Sequence, residues 1–327
     1  MTGSPRRIVA VGAGRMGRGI ALAFAYAGYE VDVVDLKARP RTDFDRLARD
    51  AHDEMASSLR MFAELDAMPL DAVPRVLQRI RVVSEPDAAE TLARAEVIFE
   101  GVPETLATKR DAFARICALA APETILASTT STILVTDLAP LATQPRRVIN
   151  AHWLNPAYVI PLVELSAHSG TSPEVISSLQ ALLEDIGKVP VLCGPAPGYI
   201  VPRLQALIMN EAARMVEEGV ATPQEIDKAT RYGLGLRFAA VGVIEFIDFG
   251  GNDILYYASR YLSQRLSQER YTAPAIVDRL MHEGKIGLKT GEGFYDYRSR
   301  DVPAYRKDVL ARTLGMLKHA GLHRPPR

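Results

Sequence analysis

Apolar residues run unbroken through Ile8-Val9-Ala10-Val11, pause at a glycine-spaced turn, and resume at Ile20-Ala21-Leu22-Ala23 with helical character. A short continuous apolar run bounded by turn signals reads as a buried strand. A second run, Glu30-Val31-Asp32-Val33-Val34, ends in Asp35. Residues 43–64 then place Phe44, Leu47, Ala51, Met55, Leu59 and Phe62 on one helical stripe. This predicted helix is longer than a simple crossover needs and is expected to project from the sheet. Pro69 and Pro74 interrupt the chain after it. Further strands are predicted at 81–83, 95–102, 124–128, 148–152 and 162–165, with helices over 109–120 and 173–186. Val189-Pro190-Val191-Leu192 reads as an edge strand, because a proline cannot donate to a central ladder.

Strands alternating with helices predict an α/β domain of Rossmann type, a mostly parallel sheet covered on both faces. The Gly/Pro-rich stretch Cys193-Gly194-Pro195-Ala196-Pro197-Gly198 then marks a linker. Beyond it the pattern is helical, at 199–218, 223–231, 251–266, 274–283 and 303–319. The expected division is a nucleotide-binding domain over 1–194 and an all-α C-terminal domain over 195–327. Leu204, Leu207, Ile208, Ala212, Met215 and Val216 form a wide apolar stripe on the first of these helices. Such a stripe predicts a homodimer through the helical domain.

Composition narrows the partners. The 327 residues include 39 basic and 39 acidic side chains, a formal net charge of zero. That argues against nucleic acid or an anionic membrane as the main partner. The two cysteines, Cys117 and Cys193, form no metal or redox spacing, so neither a metal site nor a disulfide is expected. No signal peptide is read ahead of the first strand, and no uncharged apolar run reaches transmembrane length. The expected compartment is the cytoplasm.

Candidate chemistry starts at the first turn. Gly12, Gly14 and Gly17 fit G-x-G-x-x-G, with Arg15 and Met16 between the last two, and the motif sits between a strand and a helix. In that context the glycines make the turn, admit a pyrophosphate to the backbone and allow close helix–strand packing. Asp35 stands 18 residues past Gly17, the place of a carboxylate that holds the adenosine ribose. Its charge opposes a 2′-phosphate and favours NAD over NADP, with Lys37 and Arg39 close enough to soften the preference. Ser131 and His152 follow strands whose carboxyl ends face the ligand in such a sheet. A histidine there can take an alcohol proton, though a lone histidine at a strand end is more often structural. Glu164 lies inside an apolar strand, where a carboxylate needs a partner.

These segments together resemble the 3-hydroxyacyl-CoA dehydrogenase family over nearly the whole chain. The matching motifs are Ala127 to Thr132, His152 to Pro156, Leu162-Val163-Glu164, Val102-Pro103-Glu104 with Lys109, and Lys289-Thr290-Gly291-Glu292-Gly293-Phe294-Tyr295. The resemblance implies that His152 is the acid/base, that Glu164 orients it, and that Ser131 bonds the substrate oxygen near the cofactor. It also implies NAD contacts at Glu104, Lys109, Ser131 and Asn155, with Lys289 reaching in from the C-terminal domain.

Three departures bear on the substrate. Where the family has an asparagine, this chain reads Gly198-Tyr199-Ile200-Val201-Pro202-Arg203, and Pro202 can supply none of that amide's hydrogen bonds. Residues 43–66 carry seven acids, three arginines and no lysine, a surface that would repel the phosphates of coenzyme A. Ser58 matches a serine that the family offers to that ligand. The stretch Gly233-Leu234-Gly235-Leu236-Arg237-Phe238-Ala239 is similar to the gulonate and carnitine dehydrogenase branches, and Arg237 is suited to gripping a carboxylate. The expected reaction is NAD-dependent oxidation of a small 3-hydroxycarboxylate. A 3-hydroxybutyryl-CoA dehydrogenase and an NAD-binding protein without useful catalysis are the alternatives.

Overall fold

A computed structural model describes residues 7–324 and 326. The chain divides into two compact units, Met1–Ile208 and Met209–Arg327. In the first unit, eight strands form one sheet: β1 (Ile8–Val11), β2 (Val31–Val34), β3 (Ile80–Val83), β4 (Val97–Glu100), β5 (Ile125–Ser128), β6 (Val148–Trp153), β7 (Leu162–Ser166) and β8 (Val189–Cys193). Their order across the sheet is β3-β2-β1-β4-β5-β6-β7-β8. Every neighbouring pair is parallel except β6 and β7.

The continuous apolar runs follow from burial on both faces. Alternate residues of one strand feed two cores: Ile8 joins Phe24, Phe99 and Trp153, whereas Val9 and Val11 join Ile98, Phe113 and Leu126. Pro190 lies in the edge strand β8, where its missing N–H leaves no central ladder broken. The long acidic helix runs from Arg41 to Glu64. Its buried Ala51, Met55, Ala56 and Leu59 pack with Leu22, Ala25, Val73 and Val76 in a third cluster.

The second unit is helical. Besides the helices expected from periodicity it contains Leu236–Ala240 and Val243–Gly250, preceded by a π-helical turn over Thr230–Gly235. The Lys289–Tyr295 motif folds around Asp248, a fully buried carboxylate that accepts from the amides of Phe294 at 3.0 Å and Tyr295 at 2.8 Å. A Cβ on Gly293 would overlap that carboxylate, so the glycine spacing of this motif serves packing.

Candidate active site

The glycine turn is shaped for an anion. Gly12 has φ +104°, and a Cβ there would stand 2.8 Å from the carbonyl oxygen of Gly101. A Cβ on Gly17 would collide with the carbonyl of Gly12, whereas one on Gly14 would meet nothing within 4 Å. The helix that begins here, Arg15–Tyr26, has no side-chain cap and no acid in its first turn. Its free amides and positive dipole end therefore face an open space beside Gly14. Arg15 is exposed there and Met16 is half-buried. Asp35, just past β2, is buried, and its carboxylate accepts from Arg39 Nε at 2.5 Å and the Lys37 amide at 3.3 Å. The cradle fits a dinucleotide: open backbone for the pyrophosphate and a carboxylate at the next strand end.

His152 and Glu164 are brought together by the antiparallel pairing of β6 with β7. The register of β6 and β7 sets them directly opposite each other. Side chains alternate along each strand, so Ala151, Trp153, Val163 and Leu165 enter the core while His152 and Glu164 share the other face. Glu164 Oε2 lies 2.8 Å from His152 Nδ1, with His152 7 % and Glu164 1 % exposed. A carboxylate accepting at Nδ1 keeps the proton on that nitrogen and leaves Nε2 as the basic atom. Glu164 Oε1 in turn accepts from the amides of Ile200 at 2.9 Å and Val201 at 2.8 Å. These lie at the start of the helix Val201–Glu217, whose positive end favours the carboxylate charge. Pro202 is the second residue of that helix, where a missing N–H goes unmissed because first-turn amides have no intrahelical partner.

Ser131 lies in the loop after β5, exposed, and Glu104 shapes that loop. Glu104 Oε1 accepts from the Ser131 amide at 2.9 Å, the Thr132 amide at 3.0 Å, the Thr132 hydroxyl at 2.9 Å and the Thr130 hydroxyl. Burial opposes the Glu104 charge, but the Thr130 hydroxyl, the Lys109 ammonium and the Thr132 donors outweigh it and hold the carboxyl below its ordinary range. Lys109, expected at the cofactor, has no exposed surface. Its ammonium sits 3.0 Å from both oxygens of Glu100 and 3.6 Å from Glu104 Oε2. Ser128 closes the set with a 2.6 Å bond to Glu100. An ammonium so enclosed acts on the site through Glu104.

Asn155 is exposed in the turn between β6 and β7 and lines a cavity of about 310 Å³ with Arg15, Glu54, Ser58 and Tyr158. Lys188 stitches that turn from below, donating to Ala157 O at 2.7 Å and Ile160 O at 2.8 Å, and burial lowers its ammonium pKa. Ser58 is engaged within its own surroundings, donating to Glu54 O and accepting from Tyr158. In the second unit Lys289 pairs with both oxygens of Asp253 at 2.9 Å, and Arg237 is exposed with its guanidinium 5.7 Å from the Phe246 ring centroid.

Three contributors carry no mark that the amino-acid pattern alone reveals. The Tyr199 ring stacks on His152, its hydroxyl meets Thr130 and Asn150, and the Ile200 and Val201 amides hold Glu164. Nothing in residue type distinguishes the two amides. For Tyr199 the one available signal is its position after Gly198 at the head of a helix.

A nucleotide cradle and a carboxylate-supported histidine on the same sheet define an NAD-linked oxidoreductase of Rossmann type. Residues 7–196 match the 3-hydroxyacyl-CoA dehydrogenase NAD binding domain, and residues 198–297 match that family's C-terminal domain. The chain belongs to the 3-hydroxyacyl-CoA dehydrogenase family and is an NAD-dependent dehydrogenase. It is 30 % identical to a 5-formyl-3-hydroxy-2-methylpyridine 4-carboxylate 5-dehydrogenase of Mesorhizobium japonicum, covering 93 % of this chain and 94 % of that one. It is 32 % identical to a probable 3-hydroxybutyryl-CoA dehydrogenase of Bacillus subtilis, covering 90 % of this chain and 98 % of that one. A crystal structure of a 3-hydroxyacyl-CoA dehydrogenase from Archaeoglobus fulgidus superimposes with a TM-score of 0.77 at 29 % identity, covering 97 % of this chain and all of that one.

Proposed function

We propose that this dehydrogenase interconverts a small free 3-hydroxycarboxylate and its 3-keto form, with His152 moving the hydroxyl proton. The observation that carries the proposal is the buried His152–Glu164 pair, held at 2.8 Å beside the Ser131 loop. In oxidation His152 Nε2 accepts the substrate hydroxyl proton while Ser131 donates a hydrogen bond to the same oxygen. NAD, when bound, supplies the acceptor for the hydride that leaves the same carbon. Glu164 stabilises the imidazolium and holds its Nδ1, and the amides of Ile200 and Val201 hold Glu164 in place. In reduction His152 returns the proton. Gly12, Gly14, Gly17, Arg15, Met16 and Asp35 hold the dinucleotide, with Glu104 and Asn155 beside it and Lys289 from the C-terminal domain.

The free acid is favoured over a coenzyme A ester by the acids along Arg41–Glu64, including Glu54 on the wall of the cavity beside Ser58. A carboxylate substrate also agrees with the pyridine carboxylate named for the Mesorhizobium relative. Arg237 is the residue we assign to the carboxylate. The names of other relatives favour the thioester as second reading, 3-hydroxybutyryl-CoA for the Bacillus protein. We place the enzyme in the cytoplasm as a homodimer of its helical domain 195–327, with 1–194 as the cofactor domain.

Two measurements test this. NAD reduction is followed with carnitine, gulonate, free 3-hydroxybutyrate and 3-hydroxybutyryl-CoA. The free acids are expected to turn over and the thioester not, and rapid turnover of the thioester alone defeats the free-acid assignment. With the best substrate, His152→Ala is expected to lower kcat by about 10²–10⁴-fold. Unchanged turnover in that variant would leave the chain as an NAD-binding protein whose chemistry lies elsewhere.

A further inference from the structure

One aromatic side chain touches His152 and the chain neighbours of both His152 and Ser131. The Tyr199 ring lies flat on the imidazole of His152, with centroids 4.9 Å apart and planes 3° from parallel. Its hydroxyl donates to the carbonyl of Thr130 at 2.7 Å, one residue before Ser131. The same hydroxyl accepts from Asn150 Nδ2 at 3.1 Å, two residues before His152 on β6. The next two residues in the chain supply the amides that hold Glu164.

We infer that Tyr199 is a positioning residue, its ring fixing the plane of His152 and its hydroxyl fixing the separation of His152 from the Ser131 loop. The inference rests on reading His152 as the acid/base. The bond to Glu164 restrains the imidazole at one atom only, so the ring can still tilt about it. A parallel stack removes that tilt. The hydroxyl works on the other half of the site, because Asn150 is itself anchored by a 2.9 Å bond to Ile133 O. Tyr199 thereby ties β6 to the loop after β5 through a short, buried path.

The backbone shows that this placement is enforced. Gly198 has φ +76° and Tyr199 has φ +46°. A tyrosine in the left-handed region is uncommon and costs energy, and persists where the surroundings over-determine it. Here two successive left-handed residues turn the chain so that the ring reaches His152 and the next two amides reach Glu164. Burial pushes the phenol pKa well above its ordinary value, so the hydroxyl remains a donor to Thr130 over the working pH range.

The test compares Tyr199→Phe and Tyr199→Leu in the full-length protein, using the best substrate from the assay above and NAD binding by fluorescence titration. Tyr199→Phe keeps the stack and loses the bridge, and is expected to lower kcat about 3- to 10-fold. Tyr199→Leu loses both, and is expected to lower kcat about 100-fold, the scale of an ångström misplacement of a reacting group. In both variants KM and the NAD Kd are expected to stay within about twofold, since neither contact holds a ligand. The inference is overturned if Tyr199→Leu keeps kcat within about threefold of wild type. It is equally overturned if Tyr199→Phe is as impaired as Tyr199→Leu, or if NAD binding falls in step with kcat. Should Tyr199→Leu fail to fold, wild-type kcat in Tyr199→Phe overturns the bridge. His152→Ala separates the two ideas: unchanged turnover there removes the acid/base reading itself, whatever Tyr199 does.

Discussion

Gly14 and Gly17 are three residues apart in one motif, yet the structure asks different things of them. A side chain on Gly17 runs into the carbonyl of Gly12, a backbone atom that cannot move aside without opening the turn. A side chain on Gly14 meets no protein atom, so its glycine is kept for a ligand that approaches from outside. Gly14→Ala is therefore expected to leave thermal stability unchanged and to weaken NAD binding at least about tenfold, a loss of about 1.4 kcal/mol. Gly17→Ala is expected to lower stability and binding together. Calorimetric melts and NAD titrations of the two variants check this, and the same loss of stability in both would contradict it. Asp35 shows what a sequence position leaves out. Its spacing from Gly17 named it as the ribose partner, but not that Arg39 Nε would already lie 2.5 Å from its carboxylate.

Most of the sheet was legible because its strands are buried on both faces and read as apolar runs: Ile8–Val11, Val97–Glu100 and Ile125–Ser128 lie inside or at their predicted spans. The direction of β7 was not legible. A run such as Leu162-Val163-Glu164-Leu165 has the same composition whichever way it runs, yet only the antiparallel pairing sets Glu164 opposite His152. The short helices Leu236–Ala240 and Val243–Gly250 also escaped, because a five- or eight-residue element shows too little periodicity to stand out. Lys109 was recognisable as a motif residue but not as a buried one, since burial depends on Glu100 nine positions earlier pointing the same way. Above it, Glu104 fastens the Thr130–Thr132 segment by its ionised carboxylate, and this element has a pH signature. Its pKa is lowered in the folded chain from an ordinary 4.5. A depressed carboxylate contributes stability that is fully present above its unfolded value and lost as pH falls through its folded one. The stability difference between wild type and Glu104→Gln is thus expected to be constant above about pH 4.5 and to shrink at lower pH. Urea denaturation at a series of pH values measures it, and a difference that grows on acidification would reverse the sign and the argument.

At the scale of the whole molecule the question is what covers the apolar surface of the helices. In Val201–Glu217, seventeen residues long, no side chain is buried, and Leu207 and Met209 are 62 % and 67 % exposed. On the helix Asn252–Arg265, Ile254, Tyr257 and Tyr261 fall at i, i+3 and i+7, one stripe, and are 60 %, 62 % and 62 % exposed. Scattered apolar residues on a surface need no explanation, but contiguous stripes of this kind mark association sites. Aromatic residues at the centre of such a surface tend to carry its energy. The expected solution species is a dimer, twice the 35.8 kDa of the chain. Tyr257→Glu would set a carboxylate in the middle of the stripe, where burying it without a partner is costly. Sedimentation equilibrium is expected to show the dimer for wild type and a shift to monomer for Tyr257→Glu, with NAD affinity retained because Tyr257 is not among the residues assigned to the cofactor. A wild-type protein that sediments at 35.8 kDa over micromolar concentrations would leave the stripes without the partner assigned to them.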